Sequence, residues 1–243
     1  MKNALRIHVY LTLGVLCFGL TLPLLAQTTV YNNSTNDLAR RFNPGTSEIG
    51  NEIILGSTQR YLTGFSFEYW GLSSSPSSFA GSIQARVEFY LNNGLLFNGY
   101  ATPGTSFYDS GWFSPVGGFT PTPRSSIVFG AADFLAFNPS SGGGLFLPAS
   151  DFTWTVQFQG MGLGDSVGTD LYGPPTVGAN FGDFWQKIGT SWFLMNNSQS
   201  PPYASFAADM MAVAVIPEPS TLALSVLGGL GLLILGRRLG RKE

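Results

Sequence analysis

The chain has 243 residues, enough for one large core or two small ones. Only 11% of them are charged, against ~25% in an average soluble chain, while 44% are apolar and 14% aromatic. This excludes an intrinsically disordered polymer, which lacks the apolar surface needed to offset chain entropy. It suits an extracellular β-rich domain with glycine and proline in its turns. Half of the twelve Lys and Arg residues sit at the two ends, as Lys2, Arg6, Arg237, Arg238, Arg241 and Lys242. Residues 27–216 keep six basic against twelve acidic residues, a net charge of −6. A moderately acidic span without a basic patch argues against nucleic acid as the partner. The one cysteine, Cys17, and the one histidine, His8, both lie near the N-terminus. Beyond them the chain can form no disulfide and must hold itself together by burial alone.

Lys2 and Arg6 make a positive n-region and Ile7–Leu20 an apolar h-region, and Leu24-Leu25-Ala26 puts a small residue before Gln27. The pattern predicts a secretory signal peptide over residues 1–26. Leu24 departs from the A-x-A pattern, so the cut can shift. The alternative, an uncleaved anchor, is disfavoured because the apolar run falls short of the ~20 residues that span a bilayer. Gly14-Val15-Leu16 also lacks the small residues that a lipoprotein site needs just before Cys17.

Residues 27–216 carry stretches of period-two alternation. Phe65, Phe67 and Tyr69 oppose Ser66, Glu68 and Trp70. Ala85, Val87, Phe89 and Leu91 alternate with Arg86, Glu88 and Tyr90. Phe152, Trp154, Val156 and Phe158 have Thr153, Thr155, Gln157 and Gln159 on the reverse face, and Phe206, Ala208, Met210, Ala212 and Ala214 form a last strand. Each reads as a half-buried strand of an antiparallel sheet. Turn-rich segments separate them: Gly71–Ser78, Asn92-Asn93-Gly94, Gly117-Gly118, Asn138–Gly144 and Gly173-Pro174-Pro175. No helical period and no tandem repeat occurs in this span. The expected fold is all-β, an antiparallel β-sandwich of jelly-roll type.

At the C-terminal end Thr221–Leu235 is apolar apart from Thr221 and Ser225, and Arg237, Arg238, Arg241 and Lys242 follow at once. Positive residues stay on the cytoplasmic side, which makes these four a stop-transfer cluster. A helix over residues 221–235 is roughly 22 Å long, shorter than the ~30 Å hydrocarbon core, and Gly228, Gly229 and Gly231 weaken it. Such a segment suits a brief stay in the membrane followed by processing. Just ahead stands Pro217-Glu218-Pro219-Ser220, whose prolines keep the segment extended and leave Glu218 open to be read by another protein.

The triplet, the short apolar helix and the basic cluster, in this order over residues 217–243, resemble the PEP-CTERM sorting domain, also known as the ice-binding protein C-terminal domain. The resemblance implies an exosortase substrate. Exosortase is a membrane transpeptidase, and Pro217, Glu218 and Pro219 would be its recognition motif. An ordinary single-pass anchor is the alternative. The middle is similar to exported PEP-CTERM proteins at Asn51–Gly56, Arg60–Trp70, Ala85–Tyr90, Pro103-Gly104-Thr105, Tyr108–Gly111 and Tyr172–Gly178. That likeness implies an exported β-sandwich and supplies no activity.

The constellations that carry chemistry are few. Nucleophile triads need a base, usually histidine, and zinc sites usually need His or Cys. Residues 27–243 have neither, and no metal or other cofactor is expected. Glu68 and Glu88 are candidates for a glycosidase carboxylate pair, with strand-surface ion pairing as the simpler reading. Asp165-Ser166-Val167-Gly168-Thr169-Asp170 offers oxygen ligands for calcium but lacks EF-hand spacing, and a plain loop is preferred. Among Trp70, Tyr90, Trp112, Trp154, Trp185 and Trp192, the candidates for stacking on a glycan are Trp70 and Tyr90, which lie opposite the apolar faces of their strands. The sequence therefore favours a non-enzymatic surface or extracellular-matrix protein, with an exopolysaccharide-binding module as the alternative.

Overall fold

A computed structural model of the chain describes residues 27–134, 144–196 and 205–214. The signal peptide, the sorting triplet, the apolar segment and the basic cluster lie outside the described residues, as does the turn at 138–143. The strands run in chain order as β1 (Thr28–Asn32), β2 (Asp37–Phe42), β3 (Glu48–Ile54), β4 (Tyr61–Leu72), β5 (Gln84–Tyr90), β6 (Leu96–Phe97), β7 (Tyr100–Ala101), β8 (Ser106–Asp109) and β9 (Thr122–Gly130). A 3₁₀ turn over Ala131–Phe134 follows. Then come β10 (Leu145–Phe146), β11 (Asp151–Gln159), β12 (Ser166–Tyr172), β13 (Ala179–Asn180), β14 (Asp183–Ile188), β15 (Ser191–Asn196), β16 (Ser205–Phe206) and β17 (Ala208–Val213).

Among the described residues the strands form two antiparallel sheets. The first has the order β1-β17-β4-β12-β16, with β9 and β10 also on β4 and β2 on β12. The second has the order β15-β14-β3-β11-β5-β8, with β13 on β3. A short β6-β7 hairpin stands apart, and Asn98 at its turn has a φ of 52°. Positive φ at both central residues matches the right-handed twist of a two-residue hairpin, which is why Asn98-Gly99 occupies it.

The sheets pack face to face. Phe65 and Phe67 of β4 point inward, as do Val87 and Phe89 of β5 and Phe152, Trp154, Val156 and Phe158 of β11. Phe65 meets Phe89 at 5.2 Å and Trp154 at 5.5 Å between ring centroids, both edge to face. Such pairs add to plain burial because the ring edge of one meets the electron-rich face of the other. Ala208, Met210 and Ala212 of β17 complete the inner face of the first sheet. These are the inward sets that period-two alternation predicts.

Three sequence expectations are corrected. Gly71 and Leu72 extend β4 instead of opening a turn. Ser166–Asp170 is not a loop but most of β12, paired to β4 and β2. The polar reverse face of β11 is buried at Thr153 and Thr155, while Gln157 and Gln159 keep partial exposure. Strand β11 lies between β3 and β5, and the side chains of the outer face close over it.

Candidate functional site

Each sheet carries a charged, aromatic cluster on its outer face, built by the residues that alternate with the core. On the first sheet, Glu68 and Trp70 come from β4, Asp170 and Tyr172 from β12, Asp37 and Arg41 from β2, and Arg124 from β9. A bulge in β2 brings its residues into place: Leu171 pairs with Arg40 but Tyr172 pairs with Asp37, and Ala39 between them has a φ of 52°. Such a bulge re-aims side chains relative to the regular pleat.

Arg124 binds two carboxylates. It pairs with Asp37 through Nη2 and with Glu68 at 3.3 Å through Nε. The Tyr172 hydroxyl donates to Glu68 Oε2 at 2.6 Å. The Arg41 guanidinium lies 5.7 Å from the Trp70 ring centroid, and that of Arg124 lies 5.4 Å from Tyr172. Trp70 is itself fixed, donating from Nε1 to the Phe42 carbonyl at 3.3 Å. The hydrogen bond from Arg124 and the Ala39 N–H hold the Asp37 carboxyl below its usual range.

Asp170 differs from its neighbours. Its side chain is 4% exposed, its Oδ1 is 3.7 Å from Arg41 Nε, and its buried Oδ2 has no hydrogen-bond partner. Burial pushes its carboxyl up to about 6, against the opposing pull of Arg124 and Arg41. It lies in a cleft of about 410 Å³ with Asp37, Ala39, Arg41, Pro123 and Arg124. Gly168, two residues earlier on the same face, permits the approach of β2. A Cβ there would stand 2.0 Å from the Phe42 carbonyl oxygen and 2.9 Å from Trp70 Nε1.

The outer face of the second sheet has similar ingredients in a closed arrangement. Glu48 accepts from Thr155 Oγ1 at 2.8 Å and from Lys187 Nζ at 3.0 Å. Arg86 grips Asp109 with two hydrogen bonds, of 2.8 and 2.6 Å, and lies 3.4 Å from Glu88. The Tyr90 hydroxyl sits between the Glu88 and Glu48 carboxylates. Lys187 Nζ lies over both Tyr90 and Trp192, at 5.8 and 5.1 Å. Burial, reinforced by the charge of Glu48, raises the Glu88 carboxyl.

The candidates named from the sequence fall into these two clusters. Trp70 and Tyr90 are on opposite outer faces and do not share a platform. They are 7% and 6% exposed, and each has a cation over its ring where a sugar would stack. Glu68 and Glu88 are likewise separated by the whole sandwich, so these two carboxylates cannot flank one bond. The carboxylates close to Glu88 are Asp109 and Glu48, and alternation alone could not reveal Glu48 because β3 is buried on both faces. Asp165, the first oxygen donor of the calcium candidate, accepts from the N–H groups of Ala80, Gly81 and Gly162 at 2.8–3.1 Å. Although desolvation opposes ionisation, these bonds hold its carboxyl down to about 2, and it serves as a clasp between two loops. Among the described residues no group of three or more acidic, His or Cys side chains is placed to hold a metal ion.

The fold and its surface thus define an antiparallel β-sandwich with a charged, aromatic cluster on each outer face. The chain matches no protein-family model, no curated protein and no solved structure.

Proposed function

We propose that the chain is an exported cell-surface or extracellular-matrix protein, sorted by an exosortase-type system and without catalytic activity of its own. Residues 1–26 are then a signal peptide, and residues 217–243 a PEP-CTERM tail. Pro217, Glu218 and Pro219 are the motif read by the transpeptidase. The apolar segment 221–235 then holds the precursor in the membrane until processing, with Arg237, Arg238, Arg241 and Lys242 inside. One observation carries this reading: the ordered triplet, apolar segment and basic cluster follow β17, which ends at Val213, with only three residues between. So short a spacer holds the sandwich near the membrane surface until the tail is cut. The alternation of successive long strands between the two sheets, β3, β4, β5, β9, β11 and β12, supports a jelly-roll-type sandwich.

Mass spectrometry of the protein recovered from the cell surface tests the sorting. The expected species lacks residues 1–26 and the apolar and basic segments. Surface protein with Leu235–Arg237 intact would refute it.

A second reading, a glycan- or exopolysaccharide-binding module, is favoured by the open cleft lined by Arg41, whose guanidinium covers Trp70. A glycan array with the wild-type chain and a Trp70→Ala variant tests it. Binding that depends on Trp70 supports the module, and no binding to any glycan removes it.

A further inference from the structure

We infer that the cleft formed by Asp37, Arg41, Arg124 and Asp170 binds a neutral, polyhydroxylated sugar unit, held through adjacent hydroxyls between the Asp170 carboxylate and the two guanidinium groups. The inference rests on the glycan-binding reading and adds to it the place and the chemistry of recognition.

The unpaired acceptor comes first. Asp170 Oδ2 is buried without a hydrogen-bond partner, and the 3.7 Å between Oδ1 and Arg41 Nε is beyond hydrogen-bond range. A buried polar group of this kind calls for a donor, and here it lines an open cleft. The carboxylates around it are already occupied. Asp37 accepts from Arg124 and from the Ala39 N–H, and Glu68 accepts from Tyr172 and pairs with Arg124. No described group of the protein supplies the donor that Asp170 Oδ2 lacks, and a ligand hydroxyl in the cleft would supply it.

Donors for the ligand's own oxygens are at hand. A guanidinium has five N–H groups, and the Arg41 and Arg124 side chains are 47% and 45% exposed. Arg41 spends one hydrogen bond on the Pro123 carbonyl at 3.0 Å. The site thus presents one acceptor beside several donors, which matches a pair of neighbouring hydroxyls, one donating to Asp170 and one accepting from arginine.

Charge selects against ions. Two arginines face Asp37, Glu68 and Asp170, so opposite charges nearly balance. An anion meets three carboxylates and a cation meets two guanidinium groups. The cleft, at about 410 Å³, falls in the ~300–1,000 Å³ range of small-molecule sites and admits a single sugar ring. Trp70 and Tyr172 lie 5.7 and 5.4 Å from the two guanidinium groups and restrain the arginines, which reduces the side-chain freedom lost on binding. The second sheet offers a useful contrast. Its cleft of about 370 Å³ beside Glu48, Arg86 and Lys187 is also polar, but there both Glu48 oxygens already have donors.

The test is calorimetric titration of the full-length chain in detergent with glucose, galactose and mannose at millimolar concentrations. Glucuronate and glucosamine serve as charged comparators. The expected result is saturable binding of at least one neutral hexose, weakened at least tenfold by Asp170→Ala and by Arg41→Gln. The Asp170→Ala chain should unfold at no lower temperature than the wild type, which separates a binding defect from a folding defect. Tighter binding of glucuronate or glucosamine, wild-type affinity in the Asp170→Ala chain, or no binding of any neutral hexose overturns the inference. A parallel titration with the exopolysaccharide of the producing cell separates the two levels. If both chains bind the polysaccharide equally, the site assignment fails and the module reading stands. If neither binds it, both fail.

Discussion

Replacing Asp170 by asparagine should stabilise the protein, and by an amount that depends on pH. The carboxyl is pushed up from 3.8 to about 6, first by burial, with Arg124 and Arg41 opposing and Glu68 and Asp37 reinforcing the rise. A carboxyl raised in the folded state makes ionisation costly to the fold. The cost is fully present above about pH 6, fades as pH falls from there toward 3.8, and is gone below both values. The gap between the two values corresponds to at most about 3 kcal/mol. Asparagine keeps the shape and never ionises, so it removes this cost. Urea unfolding, followed by the fluorescence of the buried Trp154 and Trp185, measures the difference between the two chains. At pH 8 the variant should be more stable by about 2–3 kcal/mol, which with an m-value of ~2 kcal/mol/M moves the midpoint by roughly 1 M urea. At pH 4 the difference should shrink to about 0.5 kcal/mol. Comparing the two chains at each pH cancels the contributions of Glu52, Glu88, Asp183 and Asp209, whose carboxyls burial also raises. A variant less stable than the wild type at pH 8, or a difference equal at both pH values, would refute the reasoning.

Three other outcomes follow from the packing. Trp154→Ala removes a fully buried ring that lies within 5.5–6.3 Å of Phe65, Phe67 and Phe206, and should cost about 3–5 kcal/mol in urea unfolding. A loss below about 1 kcal/mol would contradict its place between the sheets. Gly168→Ala should cost at least about 2 kcal/mol and shift the emission of Trp70, because the new methyl would meet the Phe42 carbonyl at 2.0 Å. Wild-type stability in that variant would mean that β2 does not approach β12 so closely. In a double-mutant cycle, Arg86 and Asp109 should couple by about 1 kcal/mol or less, falling with added salt, since their side chains are 31% and 35% exposed. A coupling above about 2 kcal/mol would show that the pair is shielded from solvent.

Alternation was enough to read the inward faces of β4, β5, β11 and β17, because each of these strands has one face on the core. It could not show β3, whose Glu48, Ile49, Gly50, Asn51 and Ile53 are all buried, so that no polar and apolar sides alternate. Strand β2 was hidden for another reason. Its Asp-Leu-Ala-Arg-Arg-Phe run carries three charges and is interrupted by the bulge at Ala39. In the clusters, Trp70 and Tyr90 could be identified as outward-facing, but not the cover that each receives. Arg41 reaches Asp170 across 129 positions and Lys187 reaches Glu48 across 139, and sheet register of that range leaves no local trace in the sequence. Asp170 was singled out as a possible loop ligand. Its real setting, a strand face flanked by two arginines from other strands, depends on pairings with β2 and β4 that only the fold supplies.

The difference between the two outer faces is the strongest argument that they serve different ends. Both set cations over aromatic rings and carboxylates beside the cations. On the second sheet the carboxylates of Glu48 and Asp109 are met by Thr155, Lys187 and Arg86, and that degree of pairing is what a cluster needs to hold β3, β5, β8 and β14 in register. In the cluster of the first sheet the same economy is broken at Asp170 Oδ2. The break is not forced by the fold, since an asparagine in the same volume would remove the ionisation cost. It coincides with a further local cost, a non-glycine residue in the left-handed region at Ala39, and with the close approach of β2 that Gly168 permits. An unpaired buried carboxylate oxygen, a left-handed Ala39 and the close approach of β2 at Gly168 meet in one patch beside an open cleft, and together they favour a surface shaped for something outside the chain.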